Sequence, residues 1–258
     1  MCLILVAWKA HPDFPLVVAA NRDEFYARPT AAAAPWPGDP RVLAGRDLEA
    51  GGTWLGIRED GRFAAVTNVR EPGAPRGALS RGGLTRAFLL GDAPPGAYAA
   101  ALEPERHSGF NLLVADRDEL WYATNRDGPP RRLEPGVYGV SNHLLDTPWP
   151  KLTRAKEAFR AALGALPGRE GLFTLLGDRE IVPDPLLPAT GVSLAWERML
   201  SAVFVASPDY GTRASTVVLR DARGGVLLEE RGAGPGARPE PTLLARGPDQ
   251  ISGASSSR

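Results

Sequence analysis

The chain begins with two uninterrupted apolar runs, Cys2–Trp8 (CLILVAW) and Leu16–Ala20 (LVVAA), separated by the turn-rich spacer HPDFP. Runs this short, with no polar alternation, predict strands covered on both faces. Joined at that spacer, the two strands form an antiparallel pair that returns the end of the second to the start of the first. Thr53–Arg58, the turn EDG and Phe63–Val69 predict a hairpin, and the first seventy residues as a whole read as strands. The period then changes. Leu152, Ala155, Phe159, Ala162 and Leu166 recur at spacings of three and four, which marks a half-buried helix over Trp149–Leu163. Shorter helices are predicted at Leu84–Leu90, Ala97–Leu102, Gly168–Leu176 and Ser193–Leu200. Strands are predicted at Phe110–Ala115, Glu119–Thr124, Val137–Val140, Ala202–Ala206, Ser215–Leu219 and Val226–Glu230. Strand blocks around a central helical block predict an α+β fold with packed sheets, not an alternating parallel sheet.

From Gly232 the pattern stops. Residues 232–258 are rich in Gly, Pro and Ser with only LLA to bury, so a single domain is expected over 1–231, followed by a flexible tail. A chain of 258 residues is long enough for one large core. Lys+Arg and Asp+Glu both number 30, and this balance removes the electrostatic case for nucleic acid or an anionic membrane as partner. The opening apolar run is too short to span a membrane and lacks the basic lead of a signal peptide, so a cytoplasmic protein is expected. A single cysteine excludes an intrachain disulfide, and His11, His107 and His143 are too dispersed for a zinc site. Gly51-Gly52 and Gly82-Gly83 lack the strand–glycine–helix context of a nucleotide loop. Asp47-Leu48-Glu49, in GRDLEAGG, reads most simply as a solvated loop, with reach to a pocket mouth as the alternative.

Cys2 is where the apolar pattern carries a nucleophile. Removal of Met1, favoured by the small residue behind it, would leave a cysteine bearing both a thiol and an α-amine. The ordinary pKa of such an amine, near ~8, lets it take the thiol proton at neutral pH, so that nucleophile and base share one residue. The alternative is that Cys2 fills a strand position as a small hydrophobe, since free cysteine is commonly buried. The second strand runs directly into Asn21-Arg22-Asp23-Glu24. Four polar side chains at the end of a buried strand are costly unless paired or placed at a site. A solvent-facing cluster of ion pairs is the competing explanation.

Blocks spread along the chain carry a resemblance. MCLI, AANRDEF followed by Arg28-Pro29, GGTWLG (Gly51–Gly56), FAAVTNVR (Phe63–Arg70), GVYGVSNHLLDTPWPK (Gly136–Lys151) and YGTRASTVVL (Tyr210–Leu219) occur in this order. Together they resemble the NRDE family, the Transport and Golgi organisation 2 homologues. That family is similar in turn to N-terminal-nucleophile hydrolases of the choloylglycine hydrolase and penicillin V acylase type. The resemblance implies a four-layer αββα sandwich and amide cleavage by Cys2 as a processed N-terminal cysteine. It further implies that Arg22 and Asp23 order the nucleophile's amine, that Asn68 and Asn142 serve the oxyanion, and that Arg213 lines the pocket. Acyl transfer does need preorganised amide donors at the developing oxyanion and benefits from an arginine that favours the thiolate.

The hydrolases separate their arginine and aspartate by two residues, whereas Arg22 and Asp23 are adjacent. At the hydrolase spacing Asn21 and Glu24 take those places, which makes them substrate-binding candidates. Neighbours on a strand face opposite ways, so one of Arg22 and Asp23 is expected to leave the pocket unless the strand ends there. His143, beside Asn142, is expected near the pocket. Hydrolysis of this kind needs neither cofactor nor metal. The family is also linked to haem handling, which implies an alternative: non-covalent carriage of haem in the same pocket, with Cys2 or His143 as a transient axial ligand. The missing CxxCH motif argues against covalent attachment.

Overall fold

The opening apolar run forms strand β1 (Cys2–Trp8), buried along its whole length and paired antiparallel with β2 (Leu16–Phe25), in a computed structural model that describes residues 2–247, 250 and 251. Alternate residues of these two strands serve two different cores. Ile4, Val6, Trp8, Leu16, Val18 and Ala20 face a second sheet. Leu3, Leu5, Ala7, Val17 and Ala19 lie beneath helices. This double duty is why neither run shows polar alternation.

The chain continues through β3 (Thr30–Trp36), β4 (Asp39–Asp47), β5 (Leu55–Arg58), β6 (Phe63–Asn68), α1 (Gly82–Leu90) and α2 (Pro95–Ala100). Then come β7 (Phe110–Ala115), β8 (Leu120–Thr124), β9 (Arg131–Leu133), β10 (Gly136–Val140), α3 (Pro150–Leu163), α4 (Glu170–Leu176) and α5 (Leu194–Leu200). The last strands are β11 (Tyr210–Arg220), β12 (Val226–Gly232) and β13 (Thr242–Arg246). They build a six-stranded sheet in the order β10-β1-β2-β11-β12-β13 and a seven-stranded sheet in the order β3-β4-β5-β6-β7-β8-β9. Neighbouring strands are antiparallel throughout both.

Leu43, Ile57, Ala65 and Leu113 of the larger sheet meet the inner face of the smaller one. Leu152, Ala155 and Phe159 of α3, with Leu172 and Leu176 of α4, cover the outer face of the smaller sheet. Leu84, Phe88 and Leu89 of α1, with Ala99 of α2, cover the other outer face over Val42, Ala64 and Val114. Each such Leu, Ile, Val or Phe side chain, fully buried, contributes about 1.5–3 kcal/mol. The result is an α+β sandwich in the layer order αββα. No helix among the described residues is long and apolar enough to cross a membrane.

Several elements differ from the sequence expectation: β9 was not expected, and β11 begins at Tyr210 and not at Ser215. β2 does not end at Ala20 but runs on through the polar block to Phe25. Ala202–Ala206 is not a strand; Val203 and Val205 are buried in a turn-rich segment joined to β11 by a bridge from Ala206 to Gly211 and by hydrogen bonds between Val205 and Thr212. Within the expected tail, Thr242–Arg246 pairs with β12 as an edge strand, and Ile251 is buried in the helix-side core. Residues 248, 249 and 252–258 lie outside those described.

Candidate active site

Cys2 opens β1, and its register partner across the ladder is Arg22. Directly opposed residues of an antiparallel pair point to the same side of the sheet, and by alternation with Ile4 that side is the inner one. Both residues line a cavity of about 940 Å³.

The continued strand sorts the polar block by alternation. Arg22 points inward with Cys2, and its guanidinium stands 3.9 Å from Asp47 of β4 in the facing sheet. Arg28 holds the same carboxylate at 2.9 Å. Asp23 turns toward the helical side, where it is buried and accepts a hydrogen bond from Thr212 Oγ1 at 2.7 Å. Being near the strand end, it still borders the cavity. Asn21 lies wholly on the helical side. Its amide donates to the carbonyls of Leu176 at 2.8 Å and Val203 at 2.9 Å, and its oxygen accepts from Ser215 at 2.7 Å. With its amide satisfied and its side chain buried, Asn21 pins a helix end and a turn to the sheet; it does not reach the cavity as the substrate-binding expectation required. Glu24 does border the cavity, but its Oε1 accepts from the Phe25 amide at 2.9 Å, and its other oxygen stands 4.0 Å from Arg28.

Burial pushes the Cys2 thiol above its ordinary value; the Asp23 charge adds to this and Arg22 opposes it. Burial also raises Asp23, against the lowering influence of Lys151, Thr212 and Arg22. Lys151, in the first turn of α3, is itself buried and donates to the Leu200 carbonyl at 2.8 Å. Desolvation lowers its pKa to about 8, with the Asp23 carboxylate working the other way. Beside it, Arg70 and Glu197 form a buried ion pair at 2.9 Å, and Glu197 also accepts from Thr190. The helical side of the nucleophile is thus a packed polar layer, where desolvation makes each unpaired group expensive.

The two asparagines meet across the sandwich. Asn68 ends β6 in the larger sheet and lines the cavity. Asn142 follows β10 in the smaller sheet, is fully buried, and donates from Nδ2 to Asn68 Oδ1 at 3.0 Å. Only Asn68 faces the cavity; Asn142 stands behind it and sets its orientation. Thr67 Oγ1 donates to the Ser141 carbonyl at 2.7 Å, and Ser141 Oγ reaches the Cys2 carbonyl at 3.2 Å. These bonds tie the ends of β6, β10 and β1 together around the nucleophile.

Arg213 lines the cavity through an irregularity in β11. The register shifts between Thr212 and Ala214, leaving Arg213 as the extra residue of a bulge. Its guanidinium is aimed at the carbonyls of Phe25, Tyr26 and Arg28, so it clamps the loop after β2 as well as forming wall. His143 is exposed, bonded at Nδ1 to Thr147 Oγ1 at 2.8 Å, and does not line the cavity. The two side chains considered as haem ligands are therefore not brought together: Cys2 faces the cavity and His143 faces solvent.

Further residues complete the site. Asp47, at the end of β4, takes the pocket-mouth alternative to a solvated loop, and Arg81, which sequence reasoning passed over, comes from the segment before α1; both line the cavity. Lys151, at the end of the WPK motif, supplies the buried ammonium. A lysine inside an otherwise apolar helix face was the one local signal available for it.

A family model described as Transport and Golgi organisation 2 matches residues 1–234. The Transport and Golgi organization protein 2 homolog of Bos taurus is 41% identical over 257 residues, covering 90% of this chain and 92% of the relative. The Homo sapiens homolog is 40% identical over 256 residues, with the same coverage of 90% and 92%. Among solved structures, a Caenorhabditis elegans ortholog of N-acylethanolamine-hydrolyzing acid amidase superposes with a TM-score of 0.49 at 13% identity, over 84% of this chain and 92% of that one.

Proposed function

The chain belongs to the Transport and Golgi organisation 2 family, and we propose that it hydrolyses small-molecule amides or related acyl compounds, with Cys2 as nucleophile once the residue before it is removed. The observation that carries this reading is that Cys2 and Arg22 share one face of the sheet on a cavity of about 940 Å³, with Asn68 on its wall. In the proposed reaction the freed α-amine of Cys2 takes the thiol proton, and the thiolate attacks the substrate carbonyl. Arg22 favours that thiolate electrostatically. The Asn68 amide donates to the oxyanion of the tetrahedral intermediate, and Asn142 holds Asn68 in place. The amine returns the proton to the leaving nitrogen as the C–N bond breaks, leaving a thioester. Water, deprotonated by the same amine, attacks that thioester and releases the acid and the free thiol. The Asp23 carboxyl, on the helical side of β2 near its end, orients the amine.

The test is intact-mass measurement followed by acylation. Protein from its native host is expected to begin at Cys2. Treatment with a β-lactam or activated ester is expected to add one acyl group, absent in Cys2→Ala and formed more slowly in Cys2→Ser. Retention of Met1, or labelling that survives Cys2→Ala, would overturn the proposal.

A further inference from the structure

We infer that Arg81 is the anchor for an anionic group, a carboxylate, carried by the molecule that occupies the Cys2 cavity, so that the substrates are carboxylate-bearing amides or acyl compounds; this rests on the proposed function in taking that cavity to be the substrate site.

The arginines around the cavity are not equivalent. Arg22 and Arg28 are paired with Asp47, Arg46 lies over the Trp36 ring at 5.4 Å, and one terminal nitrogen of Arg213 is turned to the carbonyls of Phe25, Tyr26 and Arg28. Arg81 lines the same cavity, half-buried, and donates only from one terminal nitrogen, to the Gly109 carbonyl at 3.1 Å. Among the described residues no carboxylate stands within ion-pair distance of it. A guanidinium has five N–H donors, so most of those on Arg81 remain for a ligand. Desolvation lowers its pKa, while the charges of Cys2 and Glu24 raise it. A partly desolvated cation without a counter-charge is costly, and a bound anion offsets that cost.

The backbone holds Arg81 firmly in place. The next residue, Gly82, packs against Gly52 so closely that a Cβ on Gly52 would stand 2.4 Å from the Gly82 carbonyl. The Thr53 amide donates to that carbonyl at 3.3 Å. Arg81 is also the residue at the head of α1, whose first turn carries no acidic side chain to neutralise the helix's positive end. The charge is therefore presented from a closely packed corner on the wall of the cavity that Cys2 also lines.

Cys2 is the only cysteine, which gives a readout independent of hydrolysis. The second-order rates of Cys2 alkylation by iodoacetate and by neutral iodoacetamide are compared in the folded chain. The ratio of the first to the second is expected to exceed that for free cysteine. In Arg81→Ala it is expected to fall about tenfold, the effect of one partly buried charge attraction; a change in thiolate population acts on both reagents and cancels in the ratio. Arg81→Lys should keep part of the ratio. Arg76→Ala, which removes an exposed charge from the same cavity wall, should leave it nearly intact. An undiminished ratio in Arg81→Ala, an equal fall in Arg76→Ala, or no alkylation of the folded chain would overturn the inference. A chain that passes this test but forms no acyl-enzyme would fail as a hydrolase while keeping its carboxylate anchor, so the two failures are distinguishable.

Discussion

Asp23 and Lys151 place opposite charges in one buried layer behind the nucleophile, and each has its ionisation displaced by desolvation. Lys151 gives the sharper consequence. Its pKa of about 8 lies below the ordinary lysine value, so the folded chain gives up this proton before the unfolded chain does. Between those two values the unfolded state binds more protons, and stability rises with pH. Below about pH 8 both states are protonated and the folded state carries the full cost of a buried ammonium. Lys151→Met removes the titration and keeps the apolar stem. The stability difference between wild type and this variant is expected to move in favour of wild type by roughly 3 kcal/mol from pH 7.5 to 10.5, measured as urea midpoints. A difference that does not change with pH would contradict it. Locally the sole signal was a lysine inside an otherwise apolar helix face; its burial is set by α5 and β2, distant in sequence.

The Gly-Gly pairs show the same gap between elements. The sequence marks Gly51-Gly52 and Gly82-Gly83 as loops unfit for a nucleotide, and says nothing of their meeting. In the fold the loop before β5 and the head of α1 touch backbone to backbone at Gly52 and Gly82. Gly52→Ala puts a Cβ 2.4 Å from the Gly82 carbonyl carbon, so the backbone must move. A loss of about 1–3 kcal/mol is expected, together with a weaker Arg81 effect on the alkylation ratio. Gly83→Ala, whose Cβ would meet nothing within 4 Å, is expected to be neutral or to stabilise the helix by up to about 1 kcal/mol. Thermal or denaturant unfolding of the two variants makes the comparison, and similar losses in both would refute the close-approach explanation. The bulge at Arg213 was equally hidden, because a register shift belongs to the pairing of β11 with β2 and not to either strand alone.

For the molecule as a whole, the segment expected to be a tail contributes structure. β13 covers the edge of β12, and Ile251 enters the helix-side core, although the family model stops at residue 234. A chain ending at residue 241 leaves the β12 edge uncovered and loses the buried Ile251. It is expected to be less stable by about 2 kcal/mol or more and to aggregate more readily. Unchanged unfolding and unchanged solubility after this truncation would show that β13 and Ile251 contribute nothing. The layered plan was far easier to anticipate. The continuous apolar runs of β1 and β2 required cover on both faces, and the three-and-four spacing in α3 supplied the layer that covers one of them.

The sequence by itself determined an α+β fold with packed sheets, the burial of β1 with Cys2 at its head, and the blocks in which polar residues gather, while the αββα layer order came only as what the family resemblance implied. Only the tertiary structure decided which of those residues share the cavity. It kept Arg22 and Asn68 beside Cys2, turned Asn21 into a buried clip, left His143 at the surface, and brought in Asp47 and Arg81 from loops far along the chain. The physical reason is that burial leaves a periodic mark on neighbouring residues, since each side chain's direction follows from its place in a strand or helix. Convergence on a site leaves none, because it depends on register, on where a strand stops, and on backbone contacts between segments distant in sequence.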